Sequence, residues 1–470
     1  MTLTMPAPAR AAAPVARRLP RPTPRWWRTS SRDAAAMSLV LVVGLWATDH
    51  QIGALTQGWA AALTSVGRLA GLVSADLLLV QVLLMARIPL VERAWGQDEL
   101  ARVHRWVGFS SFNLMLAHIV AITIGYAGTD RKNPLAELWS ITWTYPGMLL
   151  AAAGTLFLFL VVGSSVRVAR RKLRYESWHL LHLYAYLGVG LALPHQLWTG
   201  NEFLDNGFAT VYWWTAWAAT AGAVLLYRIA VPVSRTLRHR LTVHTVQPET
   251  PGVVSLILHG RNLDAMPVRA GQFFLFRFLG TPGHTRAHPF SLSAAPRREW
   301  LRVTVKDLGD DTRHMGALPR GTRVAIEGPY GRLTAEQRTR RGVLLLGAGI
   351  GITPLRALAE ELPQQPGDVV VLHRVRDDRE ALFAAEFDTL ARTRGTRVVR
   401  LSGPRPRDRQ SWAPASAGRD DAGALQRLVP DVADRDVFVC GPDAWMAAAL
   451  DACHRAGVPA RQLHAERFSW

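Results

Sequence analysis

Six stretches in the first half of the chain are each long and apolar enough to approach or cross a hydrocarbon core of ~30 Å. Such segments have little choice but to be helical, because in lipid every backbone polar group must be satisfied within the protein. They run roughly over 34–55, 62–86, 104–127, 146–166, 176–198 and 208–231. Positive charge collects at their ends: seven arginines lie in residues 1–33, RVARRKLR (167–174) follows the fourth stretch, and SRTLRHR (234–240) follows the sixth. The opposite loops hold little beyond Arg131 and Lys132. If the spans alternate, all three basic groups fall on one side, which predicts a multi-pass protein of the inner (plasma) membrane with its N-terminus and everything after about residue 234 in the cytoplasm. The same distribution accounts for the net charge of +19 with the lipid bilayer as partner and no nucleic acid.

Residues 1–33, rich in Pro, Ala and Arg, predict a disordered cytoplasmic tail. Arg17 and Arg18 form a twin pair, but Pro-rich sequence follows them rather than an apolar run, so a cleaved export signal is not expected. Residues 34–233 then form the six-helix transmembrane domain. Beyond them the texture changes to LTVHTVQ, VVSLILHG, GQFFLFRF and LRVTVKD, alternating runs that predict an antiparallel β-barrel or sandwich over 234–336. Over 337–470, the strands GVLLLGAG, DVVVLHRV, TRVVRLSG and DVFVCGP alternate with helices, predicting an α/β domain with a parallel sheet. The Pro-, Arg- and Ala-rich stretch 404–418 reads as a loop insertion in it. The two cysteines, Cys440 and Cys453, provide no disulfide framework, and the absence of CxxCH removes covalently attached c-type haem.

Five of the fifteen histidines fall in two apolar spans. An ionisable side chain in lipid is costly and is a functional hypothesis by default. His104 and His118 are fourteen residues apart, nearly four helical turns, so they project from one face with an axial separation of ~21 Å. His182 and His195 in the fifth span are thirteen apart, off a common face in an ideal helix, but Gly188, Gly190 and Pro194 allow that segment to rewind or kink. Both spans run in the same direction. His104 is therefore expected to meet His182, and His118 to meet His195, as two stacked bis-histidine haem sites. The bland alternative is interhelical hydrogen bonding. His179 has no partner at its depth and reads as structural, or as a spare ligand. Arg68, inside the outer end of the second span, either snorkels or pairs with a haem propionate. Arg105 reads as an interface charge, and Asp76 has no evident role.

HPFSLSAAP (288–296), VKDLGDDT (305–312), EGPYG (327–331), GAGIGITP (347–354), VCGP (439–442) and the ending ERFSW occur in an order and spacing that resemble the ferredoxin-reductase-type flavin and nicotinamide module. With the membrane histidines, the chain after residue 34 resembles the ferric reductase and NADPH oxidase superfamily, especially its single-chain bacterial members. The resemblance implies that His288, Pro289, Phe290 and Ser291 contact FAD, with Phe290 on the isoalloxazine. It implies that Lys306, Gly309 and Thr312 lie at the turn meeting the pyrophosphate, where a plain solvent turn is the alternative. GAGIGITP departs from GxGxxG at Ile352, yet Gly347, Gly349, Gly351, Thr353 and Pro354 still suit a nucleotide phosphate at a helix N-terminus. Cys440, Gly441 and Pro442 resemble the element beside the nicotinamide. Arg374 and Arg376 stand where the family selects a 2′-phosphate, favouring NADPH with NADH as the alternative. Phe468, with Trp470 as rival, resembles the aromatic covering the flavin.

The implied activity is electron transfer from cytosolic NADPH through FAD and two non-covalent b-type haems to an acceptor outside. That acceptor is expected to be O2, reduced to superoxide, with Arg68, Cys440 and Phe468 as catalytic residues. A ferric-chelate reductase shares the same path. A haem-binding sensor or cytochrome subunit is the alternative from another class. No EF-hand or activator-binding module is evident, so no obligatory activator is expected.

Overall fold

The structure is a computed structural model that describes residues 26–166, 175–200, 207–281 and 283–467; for His50, residues 175–177, His179, Asp310 and Asp311 only the backbone is described. It divides into two units, one ending at Ala230 and the other beginning at Val231.

In the first unit, helices occupy each of the six apolar stretches. They are α1 (Trp26–Trp46, continued by a π turn Ala47–Gln51 and Ile52–Ala54), α2 (Trp59–Met85), α4 (Gln97–Asp130), α6 (Met148–Ser165), α7 (Tyr175–Thr199) and α8 (Gly207–Val224). Four helical segments among the described residues are long and apolar enough to cross a membrane: Trp59–Met85, Gln97–Asp130, Met148–Ser165 and Gly207–His239. Their outward faces carry Val120, Leu156, Phe208 and Val211, each more than half exposed, an apolar surface suited to lipid rather than water.

The helices depart from the sequence expectation at three places. Helix α1 begins at Trp26, inside the stretch expected to be tail, because tertiary contacts order it. Arg28 lies over the Trp95 ring at 4.8 Å and pairs with Glu99, and Trp95 Nε1 donates to Ser31 Oγ at 2.8 Å. Helix α3 (Pro89–Trp95) precedes α4, which starts at Gln97 rather than near 104. A further helix, α5 (Pro134–Thr144), fills the loop after α4, with Pro134 in its first turn and the Asn133 side chain accepting from Leu135 N.

Helices α2 and α4 pack closely through small residues. A Cβ on Gly67 would reach Ala121 Cβ at 3.0 Å. Ser74 and Ser111 each donate to the other's carbonyl, at 2.7 and 2.9 Å, the kind of interhelical hydrogen bonding that adds ~0.6 kcal/mol or more per bond in a membrane. Helices α6 and α7 make a second close pair at Gly154 and Gly188. Asp76, unexplained by sequence, ties α2 to α1 and α8: its Oδ1 accepts from Ser38 Oγ at 2.5 Å and Tyr212 OH at 2.8 Å. Its buried Oδ2 has no hydrogen-bond partner among the described residues.

The second unit opens with α9 (Val231–His239). It continues with two three-stranded antiparallel sheets, in orders β1-β2-β5 and β4-β3-β6. The strands are β1 (Thr242–Thr250), β2 (Val253–His259), β3 (Phe273–Phe278), β4 (His288–Ser291), β5 (Trp300–Lys306) and β6 (Val324–Tyr330). Isolated bridges Thr242–Arg323 and Leu292–Val303 link the two sheets around a core of Leu256, Leu258, Phe274, Phe276, Val303 and Ile326.

From residue 343 a five-stranded parallel sheet runs in the order β11-β10-β7-β8-β9. Its strands are β7 (Val343–Ala348), β8 (Val369–Arg374), β9 (Arg397–Leu401), β10 (Asp436–Cys440) and β11 (Leu463–Ala465), with α10 (Ile352–Glu361), α11 (Ala384–Arg394), α12 (Asp421–Leu428) and α13 (Asp443–Arg455) among them. The stretch 404–418 is more than a surface loop. Trp412 is fully buried, donates from Nε1 to the Asp421 carbonyl at 3.1 Å and accepts from Trp445 Nε1 at 2.7 Å.

Candidate functional site

Helices α4 and α7 bring four of the five membrane histidines into two facing pairs. The ring centroids of His104 and His182 are 6.0 Å apart, and those of His118 and His195 are 6.5 Å apart. Two metal–nitrogen bonds of ~2 Å together with two imidazole radii of ~1.1 Å place the centroids of an axial pair ~6 Å apart, so both spacings suit one iron between the rings. In α7, Pro194 removes a ladder N–H one residue before His195, which gives the helix local freedom to bring its second histidine round. His179 lies on α7, but its side chain is outside the described residues.

The hydrogen bonds to the rings are as informative as their spacing. His104 Nδ1 is 3.1 Å from the Gln81 carbonyl oxygen and His118 Nδ1 is 2.8 Å from that of Gly67. A carbonyl only accepts, so Nδ1 carries the hydrogen and Nε2 keeps its lone pair, the state an iron ligand needs. Both carbonyls belong to α2. On α7, His195 Nδ1 is 2.9 Å from Thr199 Oγ1 and His182 Nδ1 is 3.4 Å from Ser165 Oγ. Gly71 leaves room for this arrangement, since a Cβ there would lie 2.5 Å from His118 Nδ1. At intermediate depth, Phe112 and Met115 of α4 join Leu78, Leu158 and Val189 in an apolar cluster, and Phe112 meets Phe159 edge-on at 5.1 Å. The residues fit a pair of bis-histidine haems. Among the described residues no group of three or more His, Cys, Asp or Glu gathers as a metal site.

Arg68 is half-buried on α2, next to the Gly67 carbonyl that holds His118. No hydrogen bond or ion pair engages it among the described residues. Arg105 likewise makes no ion pair there.

In the second unit, His288, Pro289, Phe290 and Ser291 form β4, opposite Phe276, Leu275, Phe274 and Phe273 of β3. The His288 and Phe290 rings are nearly parallel, 7° apart with centroids at 5.8 Å. Both are half-buried, whereas Ser291 is buried, so β4 offers an aromatic face beside a filled core. Lys306 is exposed at the end of β5. The following turn is held from within: Gly309 N donates to Asp307 Oδ1 at 3.0 Å, and Leu308 N donates to Thr312 Oγ1 at 2.7 Å.

The glycines after β7 divide their work. A Cβ on Gly347 would collide with Ile352 at 2.8 Å, and one on Gly351 with the Cys440 carbonyl at 2.5 Å, so both serve packing. Gly349 has φ +54° and open space where a Cβ would sit; it is the position at which the backbone can approach a phosphate. Thr353 Oγ1 donates to the Ile350 carbonyl at 2.8 Å, and Pro354 is buried in the first turn of α10. Gly441 packs against Trp445, with Pro442 leading into α13.

Cys440 and Arg374 differ from expectation, and two further residues lie outside the described ones. Cys440 is fully buried, and burial first, with the Glu466 carboxylate adding, pushes its thiol well above the ordinary range. Its thiol packs within the domain core, so it presents no exposed group for the catalytic role expected of it. Arg374 is also buried, its guanidinium taken up by the carbonyls of Val375, Leu401 (3.1 Å) and Gly403 (2.7 Å), so it has no fork left for a 2′-phosphate. Phe468 and Trp470 lie outside the described residues.

Arg376, by contrast, is exposed, and its carbonyl accepts from Gly403 N at 3.2 Å, at the entrance to the 404–418 stretch. That contact brings in Arg405, exposed and close enough that its charge, after burial, lowers the Arg374 guanidinium from its ordinary value. Sequence reasoning missed Arg405, although an arginine-rich insertion after β9 is a signal that could have found it.

Known proteins divide the chain in the same way. Residues 70–193 match the family described as Ferric reductase like transmembrane component, and residues 345–451 match Oxidoreductase NAD-binding domain. The chain is 30% identical over 255 residues to the 3-ketosteroid-9-alpha-monooxygenase, ferredoxin reductase component, of Mycolicibacterium smegmatis, covering 52% of this chain and 65% of that protein. It is 30% identical over 221 residues to NADH oxidoreductase HCR of Escherichia coli, covering 44% and 61%. The match thus spans less than two thirds of either relative's length. Among solved structures, the flavohem-like FAD/NAD binding domain of nitric oxide dioxygenase from Vibrio cholerae is 23% identical, covering 49% of this chain and 98% of that one with a TM-score of 0.40. The flavohemoglobin from Malassezia yamatoensis is 18% identical, covering 90% and 99% with a TM-score of 0.41.

Proposed function

From a chain that has the ferric reductase and NADPH oxidase-like architecture, a transmembrane component followed by a ferredoxin-reductase-type module, we propose a transmembrane electron carrier. It takes electrons from cytosolic NADPH through FAD and two b-type haems to O2 on the outer face of the plasma membrane, giving superoxide. The observation that carries this reading is the pair of histidine couples at 6.0 and 6.5 Å, with hydrogen-bond acceptors at each Nδ1. FAD, when bound, converts the two-electron hydride of nicotinamide into single electrons that haem iron accepts one at a time.

The remaining work belongs to the chain's own residues. His104 and His182 would hold the inner haem, and His118 and His195 the outer one, within the helical unit. Phe290 and His288 offer the flat surface for the flavin, on the β4 strand of the antiparallel sheets. Gly309 and Thr312 shape the turn near its pyrophosphate, Lys306 stands at the adjoining strand end, and Phe468 covers the ring. Gly349 and the start of α10 take the nicotinamide nucleotide's phosphates. Gly441 and Pro442 shape the loop that bounds the nicotinamide, backed by the buried Cys440. Arg376 and Arg405 select the 2′-phosphate, with NADH the poorer donor. Arg68 presents positive charge to the outer haem's propionate and to the superoxide being formed. With both histidines of a couple engaged as ligands, a bound iron would have no open position, and an acceptor would be reduced at the porphyrin edge instead. No activator is required.

The match of residues 70–193 to a ferric-reductase-like component favours one second reading, a ferric-chelate reductase with the same path. Purified protein in detergent or nanodiscs, given NADPH and O2 alone, separates the two. Steady NADPH oxidation yielding superoxide-dismutase-sensitive product supports the oxidase. Turnover only on adding a ferric chelate supports the reductase, and NADPH that reduces no haem refutes both.

A further inference from the structure

The four histidines are not held alike. Those on α4 donate to backbone carbonyls of α2, acceptors that every residue type retains. Those on α7 stand next to side-chain hydroxyls, and of the two contacts the one at Thr199 is short. Thr199 Oγ1 donates its own hydrogen to the His195 carbonyl at 2.7 Å. That commitment leaves only lone pairs for the 2.9 Å contact with His195 Nδ1, so the imidazole N–H must be the donor. Ser165 shows a looser form of the device: its hydroxyl donates to the Val161 carbonyl at 2.7 Å, accepts from Trp178 Nε1 at 3.2 Å, and stands 3.4 Å from His182 Nδ1.

We propose that Thr199 is a positioning residue for the outer haem, fixing the tautomer and orientation of His195 and increasing the electron donation of its Nε2. This rests on the reading of His118 and His195 as ligands. Hydrogen bonding at the far nitrogen of a ligating histidine raises its basicity, and a more basic ligand favours ferric over ferrous iron. Thr199 thereby lowers the potential of the outer haem and makes its electron more strongly reducing toward the acceptor. The hydroxyl geometry also explains a sequence pattern left unread: a threonine four residues after a histidine, in the last turn of a helix, can bond to both the carbonyl and the ring of the same residue.

The test compares T199V, which keeps the shape and loses the acceptor, with T199S, which keeps it. Both are prepared as full-length protein, and the readouts are haem content, potentiometric titration of each haem and low-temperature EPR of the ferric form. T199V is expected to hold two haems and to raise the midpoint of one of them. The expected size is about fivefold in the ferrous-to-ferric ratio at fixed poise, the equivalent of one ordinary hydrogen bond, or ~40 mV for a one-electron couple. The other haem stays unmoved, and T199S stays near the parent protein. Selective loss of one haem in T199V with retention in T199S supports the same role. Two haems with unmoved potentials and EPR in T199V overturn the proposal, as does a T199S that behaves like T199V. A parent protein without haem overturns the ligand reading itself, a result the variants do not imitate.

Discussion

Gly71→Ala adds one methyl group at a point where α2 passes close to the ring of His118. That methyl would lie 2.5 Å from Nδ1 and 2.9 Å from Cε1, against ordinary contacts of 3.4–4 Å. The ring must therefore retreat by ~1 Å, or the two helices must separate. A retreat lengthens the 2.8 Å bond from His118 Nδ1 to the Gly67 carbonyl beyond hydrogen-bonding range, a loss of ~1 kcal/mol. Overpacking adds ~1–3 kcal/mol, and the better helix propensity of alanine returns up to ~1 kcal/mol. The helix bundle should survive a net ~1–3 kcal/mol. The outer haem site should not, because loss of a supporting bond of this kind weakens metal binding ~10–100-fold. Haem-to-protein ratio, measured as pyridine haemochromogen with EPR of the ferric protein, should fall from two toward one. Gly190→Ala is the control: it lies on α7, nearer in sequence to His195, where an added Cβ meets nothing within 4 Å. Two haems with unchanged spectra in Gly71→Ala would refute the geometric argument.

Other outcomes follow from the same structure. His118→Ala or His195→Ala should abolish reduction of external acceptors while flavin reduction by NADPH, followed at its absorbance band, continues at the parent rate. Arg376→Ala and Arg405→Ala should each raise KM for NADPH by about tenfold with little change for NADH, the loss of one charge-assisted contact of ~1.5 kcal/mol; Arg374→Leu should destabilise the nucleotide domain without altering that preference. Burial, with the Arg400 charge adding, holds the His373 imidazole down to about 4. Its neutral state is favoured in the fold, so its contribution is complete above the unfolded value of 6.5 and is lost as pH falls from there toward 4. Between those limits about 3 kcal/mol of domain stability should disappear, read from amide exchange in β7 and β8 after correction for intrinsic rates. His373→Phe should flatten that dependence.

What the sequence disclosed was whatever has a period or a fixed local form. The fourteen-residue interval in α4 is a property of one helix, and strands such as β7 announce themselves as unbroken apolar runs. Features made by tertiary contact were hidden. Helix α1 extends to Trp26 because Arg28 and Ser31 find Trp95 and Glu99, far along the chain. Trp412 sits in a Pro- and Arg-rich stretch that looks like solvent loop, yet Asp421 and Trp445 bury it. Arg374 and Arg376 are two residues apart and chemically identical. Only the fold decides that the first is taken by carbonyls at the sheet end and the second is left in solvent. Likewise, no pattern distinguishes Gly349, which is open, from Gly347 and Gly351, whose space is filled.

Electron transfer beyond the flavin requires that the two imidazole couples of the helical unit each hold a porphyrin iron. The decisive measurement is a dithionite-reduced-minus-oxidised absorption spectrum of the purified full-length chain, quantified against protein. Low-spin b-type bands amounting to two haems per chain are expected; a protein expressed with ample haem that shows no Soret absorbance, or holds a single haem, would rule the arrangement out.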